Sequence, residues 1–145
     1  TSMSSAVLRR AALRGFYNLE EREVTHWFAF ENDFVTSFHS FITGKPSVEN
    51  IQLLEGSVLW YIAREELDQL LDEFDDVERL LRIVYEKYYL RLEARYVNSQ
   101  FTSAKERYAN LLRQAPHIIG RVALGQIASY LDLSQETLSR IRKSL

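Results

Sequence analysis

The 145-residue chain has no cysteine. That excludes a disulfide scaffold and any thiolate metal site, and it fits a reducing, cytoplasmic setting. Charge of one sign is also missing: the formal net charge is −2, so composition alone does not indicate a nucleic-acid partner. No apolar run approaches the roughly 18–20 residues a helix needs to cross a bilayer, and no signal-peptide pattern opens the chain. Glycine-rich phosphate loops, a nucleophile elbow and a paired-carboxylate site are absent. The three histidines, His26, His39 and His117, sit in unlike segments with no metal-ligand spacing. The expectation is therefore a protein that is not an enzyme and carries no cofactor. What the chain does have is 46% apolar residues, with eight Tyr and eight Phe, enough for a real core.

The first part of the chain reads as largely β. Phe16, Tyr17, Val24, Thr25, Trp27, Phe28 and Phe30 lie in two strand-like runs around Glu20-Glu21-Arg22, which predicts a hairpin. Asn32-Asp33 and Gly44-Lys45-Pro46-Ser47 are turns, and Phe34 to Ile42 is either a strand or a short helix. Ile51–Leu54 and Val58–Ile62 read as a second strand pair split by Glu55-Gly56-Ser57. Helical spacing then begins with Leu67, Leu70, Leu71 and Phe74. Asp75-Asp76 is expected to break that helix and cap the next. From Val77 to Asn98 there is neither Gly nor Pro. Val77, Leu81, Val84, Tyr88, Leu92 and Arg95 recur every three or four residues, the pattern of a dimer seam. A second stripe, Leu80, Ile83 and Leu90, lies partly off it; burial of both faces within one domain is the alternative. Ser103 and Glu106 form a capping box that opens a further helix, which stops before Pro116.

The C-terminal end carries the functional signal. From His117 onward the cations Arg121, Arg140, Arg142 and Lys143 face two acids, Asp132 and Glu136, so this end carries +2 and the rest −4. Residues 124–143 fit two helices crossing through a tight turn. Ala128 is the small residue at the crossing, and Ile127, Leu131, Leu133, Leu138 and Ile141 supply the apolar contacts. Asp132 stands where positive φ is expected, and Ser134 can cap the second helix. With Leu138, Ile141 and Leu145 inward, Gln135, Glu136, Ser139, Arg140 and Lys143 face outward. Arg suits guanine, Gln adenine and Glu the cytosine amino group, while Lys143 and the helix amides suit phosphate. The candidate DNA-binding set is Ser134, Gln135, Glu136, Thr137, Ser139, Arg140 and Lys143. An ordinary helical hairpin with a polar face is the alternative.

Several segments resemble Crp/Fnr-type transcription regulators, in particular a branch found in Bacteroidetes-like bacteria. They are Glu106-Arg107-Tyr108, Pro116-His117-Ile118-Ile119, Ile127 to Leu131 and Glu136 to Lys143, together with Phe28 to Val35. The resemblance runs from about Leu13 to Leu145. It implies an α+β fold: a partial antiparallel, jelly-roll-like β-roll over 1–75, a dimerisation helix over 76–100 and a helix-turn-helix of winged-helix type over 101–145, its wing short or absent. It places Gln135, Glu136 and Arg140 on the family's main base-contacting positions. The family's roll has several strands ahead of the segment matched by Leu13–Tyr17, where a dozen residues stand here.

The resemblance further implies a homodimer that allosterically controls promoter binding on a near-palindromic operator, with RNA polymerase as a further candidate partner and the effector undefined. Cyclic-nucleotide binders of the family hold the phosphate with an Arg and the ribose with a Glu; the matching positions here are Ser47 and Ser37. A buried phosphate without a cation costs several kcal/mol, and Lys45 is a poor substitute for a bidentate Arg. Tight cyclic AMP binding is therefore not expected. The aromatic set Trp27, Phe28, Phe30, Phe34, Phe38 and Phe41 reads as core more readily than as pocket lining. A sensing or interaction module that has lost DNA binding is the alternative function.

Overall fold

The computed structural model describes residues 4–144, with side chains from Ala11 on. The inward-facing role expected for Leu145 lies outside the described residues. Six strands, β1 (Ser4–Arg10), β2 (Leu13–Leu19), β3 (Arg22–Ala29), β4 (Phe34–Val35), β5 (Glu49–Leu53) and β6 (Val58–Ala63), are interrupted by α1 (Phe38–Thr43). Five helices follow: α2 (Arg64–Glu73), α3 (Asp75–Phe101), α4 (Ala104–Gln114), α5 (Leu124–Tyr130) and α6 (Gln135–Lys143), with a 3-10 turn at Pro116–Ile118.

The strands form two antiparallel three-stranded sheets, ordered β4-β1-β6 and β3-β2-β5. The expected hairpin is present: β2 pairs with β3 from Leu13↔Ala29 to Leu19↔Arg22, turning at Glu20, whose φ is 53°. The segment after Asn32 is both things foreseen for it, the short strand β4 and then α1. One expectation fails. The strands near Ile51 and Val58 do not pair with each other. β5 adds to β2 in one sheet (Leu13↔Leu53), and β6 adds to β1 in the other (Ser5↔Ile62). The polar stretch Glu55-Gly56-Ser57 is therefore a crossing between sheets rather than a hairpin turn. Both strands carry suitable strand formers, but a partner strand far away in sequence decides the pairing.

Between β2 and β3 the indole of Trp27 lies directly on Gly15. A Cβ there would meet Trp27 Cε2 at 2.2 Å, so only glycine lets the ring close over this sheet. Arg14, on the same strand, is 5% exposed. Its guanidinium is satisfied by Gln52 (2.7 Å), Thr25 (3.2 Å) and the Glu23 carboxylate, as a buried charge requires.

α2 ends at Phe74, whose extended backbone (ψ 112°) makes the break between α2 and α3. Asp75 and Asp76 are already inside α3 and make no side-chain cap; at its N-terminus they complement the helix dipole instead. α3 is longer than foreseen. Its 27 residues span about 40 Å at 1.5 Å each.

One core joins the sheets to the C-terminal helices. Ala12, Phe28 and Phe30 from the strand region pack in the same buried cluster as Tyr108, Leu111, Ile118, Val122, Ile127, Ala128, Leu131 and Leu138. A second cluster, Ala11, Leu13, Trp27, Ala29 and Val35, fills the space between the sheets. Of the six aromatics weighed above, Trp27, Phe28, Phe30 and Phe41 are buried, Phe38 is half-buried and Phe34 is exposed.

Candidate nucleic-acid interface and sensory pocket

α4 begins as its sequence requires: Ser103 Oγ accepts from the Glu106 amide, and the Glu106 carboxylate accepts from the Ser103 amide at 2.8 Å. The Ser103 amide and hydroxyl, both donating to it, hold the Glu106 carboxyl below its usual range. Tyr108 and Leu111 turn inward and form the seat for α5. α5 buries Ile127 and Ala128, and α6 lays Leu138, fully buried, across them. The turn between the two helices closes through the Leu133 amide donating to the Ala128 carbonyl at 2.9 Å. Asp132 takes φ 56° there, a conformation that costs most side chains about 1–2 kcal/mol and that Asp tolerates better than most. Ser134 then caps α6, its hydroxyl accepting from the Thr137 amide at 3.1 Å.

The structure therefore brings the candidate reading residues to one side of α6. Ser134, Gln135, Glu136, Arg140 and Lys143 are exposed, and Thr137 and Ser139 are half-buried. Two features missed by sequence reasoning shape this face. Thr137 Oγ1 accepts from Ser134 Oγ at 2.9 Å and from Arg140 Nη2 at 3.2 Å, so the cap hydroxyl, Thr137 and the Arg140 guanidinium form a chain that fixes the arginine. Gln135 Oε1 lies over Gly125, where a Cβ would stand 3.1 Å away, so the bare backbone of α5 gives the glutamine its room.

The positive charge at this end is also distributed differently. Arg121, counted with the basic tail above, does not face outward with α6. Its guanidinium binds Glu31 (2.7 and 3.0 Å), the Glu55 carboxylate and the Ala11 carbonyl (3.0 Å), clamping the approach to α5 against both sheets. Arg121 holds the Glu31 carboxyl down to about 2. Arg140, Arg142 and Lys143 stand in the last turn of α6, where they complement the helix dipole's negative end, and Lys105 of α4 joins them there, its Nζ donating to the Ser144 carbonyl at 3.3 Å.

α3 presents its faces unequally. Val77, Leu81, Val84 and Tyr88 are half-buried, the Tyr88 ring lying tilted against Phe38 at 4.0 Å between centroids; Leu92 is 37% exposed. Lower on the same side, Arg91 donates to the Phe28 carbonyl and Arg95 to the Thr25 carbonyl, tying α3 to β3. The other stripe is bare: Leu80, Ile83, Leu90, Val97 and Phe101 are 37–79% exposed. With Lys87 and Ala94 between them they repeat at alternating intervals of three and four, a heptad seam over the whole helix.

The positions weighed for cyclic-nucleotide binding lie beside Trp27 and Glu49. Ser37 and Ser47, at the positions where Glu and Arg were sought, hydrogen-bond each other at 2.8 Å. Beside them the Trp27 indole N–H donates to Glu49 Oε1 at 2.7 Å, and burial pushes the Glu49 carboxyl up despite that bond. Burial likewise drives the Tyr88 phenol to about 12. Against α3 lies a small cavity of about 40 Å³, lined by Trp27, Phe38, Tyr88, Arg91 and Arg95 among others and not by Ser37, Ser47 or Glu49.

No protein-family model and no curated protein matches the sequence. Solved structures do match the fold. FixK2 from Bradyrhizobium japonicum superposes with a TM-score of 0.80 at 18% identity, over 99% of this chain and 74% of that one. A protein of Eubacterium rectale assigned to the Crp/Fnr family gives 0.75 at 17%, over 99% and 69%. The c-di-GMP-responsive global regulator CLP of Xanthomonas campestris gives 0.73 at 18%, over 99% and 77%. The chain has the fold of Crp/Fnr-type regulators. At these identities the likeness assigns no branch within the family.

Proposed function

We propose that this protein is a dimeric transcription regulator that reads double-stranded DNA with α6. The observation that carries the reading is the tight crossing of α5 and α6: Leu138 is sealed inward at 0% exposure while Gln135, Glu136 and Arg140 stand outward. Those three offer a bidentate guanine partner, an adenine partner and a cytosine acceptor. Lys143, Ser139 and the α6 amides capped by Ser134 suit backbone phosphates. We assign dimerisation to the bare stripe Leu80–Ile83–Leu90–Val97–Phe101, the more exposed of the two, ahead of Val77, Leu81, Val84, Tyr88 and Leu92, of which only Leu92 is exposed. Two α6 helices related by a two-fold would meet half-sites roughly 34 Å apart on a near-palindrome.

Control of binding runs through hydrogen bonds that join the sheets to α3 and to α5. α3 is bonded to β3 by Arg91 and Arg95, and β3 to α5 by Ser129, whose hydroxyl accepts from the Thr25 amide at 2.9 Å and donates to the Glu23 carbonyl at 3.0 Å. A change in the sheets is thus passed both to the dimer helix and to the reader. We infer that the effector is not cyclic AMP: where a Glu and an Arg would hold the ribose and the phosphate stand Ser37 and Ser47, bonded to each other, with the half-buried Glu49 carboxyl beside them. We place the protein in the cytoplasm; no described helix is long and apolar enough to cross a membrane.

Selection of bound duplexes from a random library tests this directly. The expected outcome is an inverted repeat, bound with an affinity that falls steeply as salt rises. Recovery of no enriched sequence at low salt, with the protein folded, would leave a sensing or interaction module in place of a regulator.

A further inference from the structure

Where α3, β3, α4 and the α5–α6 turn meet there is a cavity of about 290 Å³. It contains two guanidiniums, Arg95 and Arg107, against one carboxylate, Asp132, and no described ion pair joins any of the three. Arg107 is committed to backbone, its Nε to the Leu131 carbonyl at 3.2 Å and its Nη1 to the Thr102 carbonyl at 2.9 Å. Arg95 is not fully committed. Its guanidinium lies over the Tyr130 ring at 4.6 Å and gives Nη2 to the Thr25 carbonyl, yet Nη1 is buried with no hydrogen-bond partner among the described residues. It is the one side-chain nitrogen or oxygen of the described residues in that state. Leaving a charged donor buried and unmet is costly, and a bound acceptor removes that cost. Asn98, Asn110 and Gln114 add neutral amide groups to the wall.

We infer that this cavity binds a small anion with several oxygen atoms, a phosphate monoester or a carboxylate, whose head meets Arg95 Nη1 while its polar body meets the amides. It contains neither Ser37 nor Ser47, and it shares Arg95 and Tyr130 with the 40 Å³ cavity beside Trp27 and Phe38. Its walls belong to the dimer helix, the sheet and the reader at once, so an occupant holds those three elements together.

Thermal unfolding with three probes, inorganic phosphate, glycerol 3-phosphate and malate, tests the site without DNA, so its failure is distinct from failure of the DNA reading. Matched sodium chloride sets the ionic-strength baseline. At a probe concentration about tenfold over Kd, the Tm of the wild type and of Arg79→Gln, an exposed control on α3, rises by roughly 3–6 °C. Arg95→Gln loses that rise. Asn98→Asp places a carboxylate in the cavity, keeps the acceptor that meets Asn110, and is expected to raise the ligand-free Tm and abolish the response. Because Asn98→Asp leaves Arg95 in place, the outcome does not depend on Arg95→Gln folding. Preference for glycerol 3-phosphate or for malate assigns the head group. If no probe shifts the wild type beyond the chloride baseline, or if Asn98→Asp responds as the wild type does, the inference is overturned.

Discussion

Arg121 illustrates how a single side chain can set the stance of a whole module. It gathers two carboxylates from different sheet connections, and it is 24% exposed. Replacing it by Met removes several charge-assisted bonds and leaves Glu31 and Glu55 facing each other. We expect a loss of about 1–3 kcal/mol, read by urea unfolding. Glu31 adds a pH signature. Its folded-state value of about 2 lies below the ordinary 4.5, so its contribution is complete above about pH 4.5 and is lost as pH falls toward 2. Glu31→Gln should be less stable at neutral pH and show a shallower loss of stability through that window; equal acid slopes would contradict the clamp. None of this was legible in the sequence. Glu31 and Glu55 lie 90 and 66 positions from Arg121, and nothing local distinguishes a clamped arginine from one bound for phosphate.

Among the elements, the helix ends were readable because their physics is local. Ser103 with Glu106, Ser134, and Asp132 at its positive φ each depend on neighbours within about four residues, and each occupies the place expected of it. Ser134→Ala should cost about 1 kcal/mol. It should also loosen Arg140, because Thr137 loses its bond to the cap. Asp132→Gly should keep or slightly raise stability, since glycine takes positive φ without strain; a clear loss would mean that the carboxylate has a partner of its own. The faces of α3 were not readable. Two stripes of similar composition run along it, and they differ in exposure: Val77, Leu81, Val84 and Tyr88 are half-buried, Leu80, Ile83 and Leu90 exposed. The consequence is an asymmetric pair of variants. Leu90→Glu should yield a folded monomer in analytical ultracentrifugation, whereas Leu81→Glu should lower the Tm. Dissociation by Leu81→Glu with Leu90→Glu still dimeric would reverse the assignment. Dependence on distant partners explains β5 and β6, which are strands as expected but in different sheets.

At the scale of the molecule, sheets, long helix and C-terminal helix pair are not three bodies on strings. A shared core from Phe28 to Leu138 and the bonds of Ser129, Arg91, Arg95 and Arg121 make the position of α6 a property of the sheets. The α+β character, the long helix and the crossed helix pair were foreseeable from periodicity and turn chemistry. Their mutual seating was not, because it rests on contacts between residues as far apart as Thr25 and Ser129. The central claim concerns α6, and the most direct measurement is the affinity of Arg140→Ala for the selected duplex and for each single-base variant of it, with unfolding curves to show that the fold is kept. The account predicts a loss of about 1–3 kcal/mol and indifference at one base position of each half-site, with the other preferences intact. Wild-type affinity and an unchanged preference at every position would contradict it.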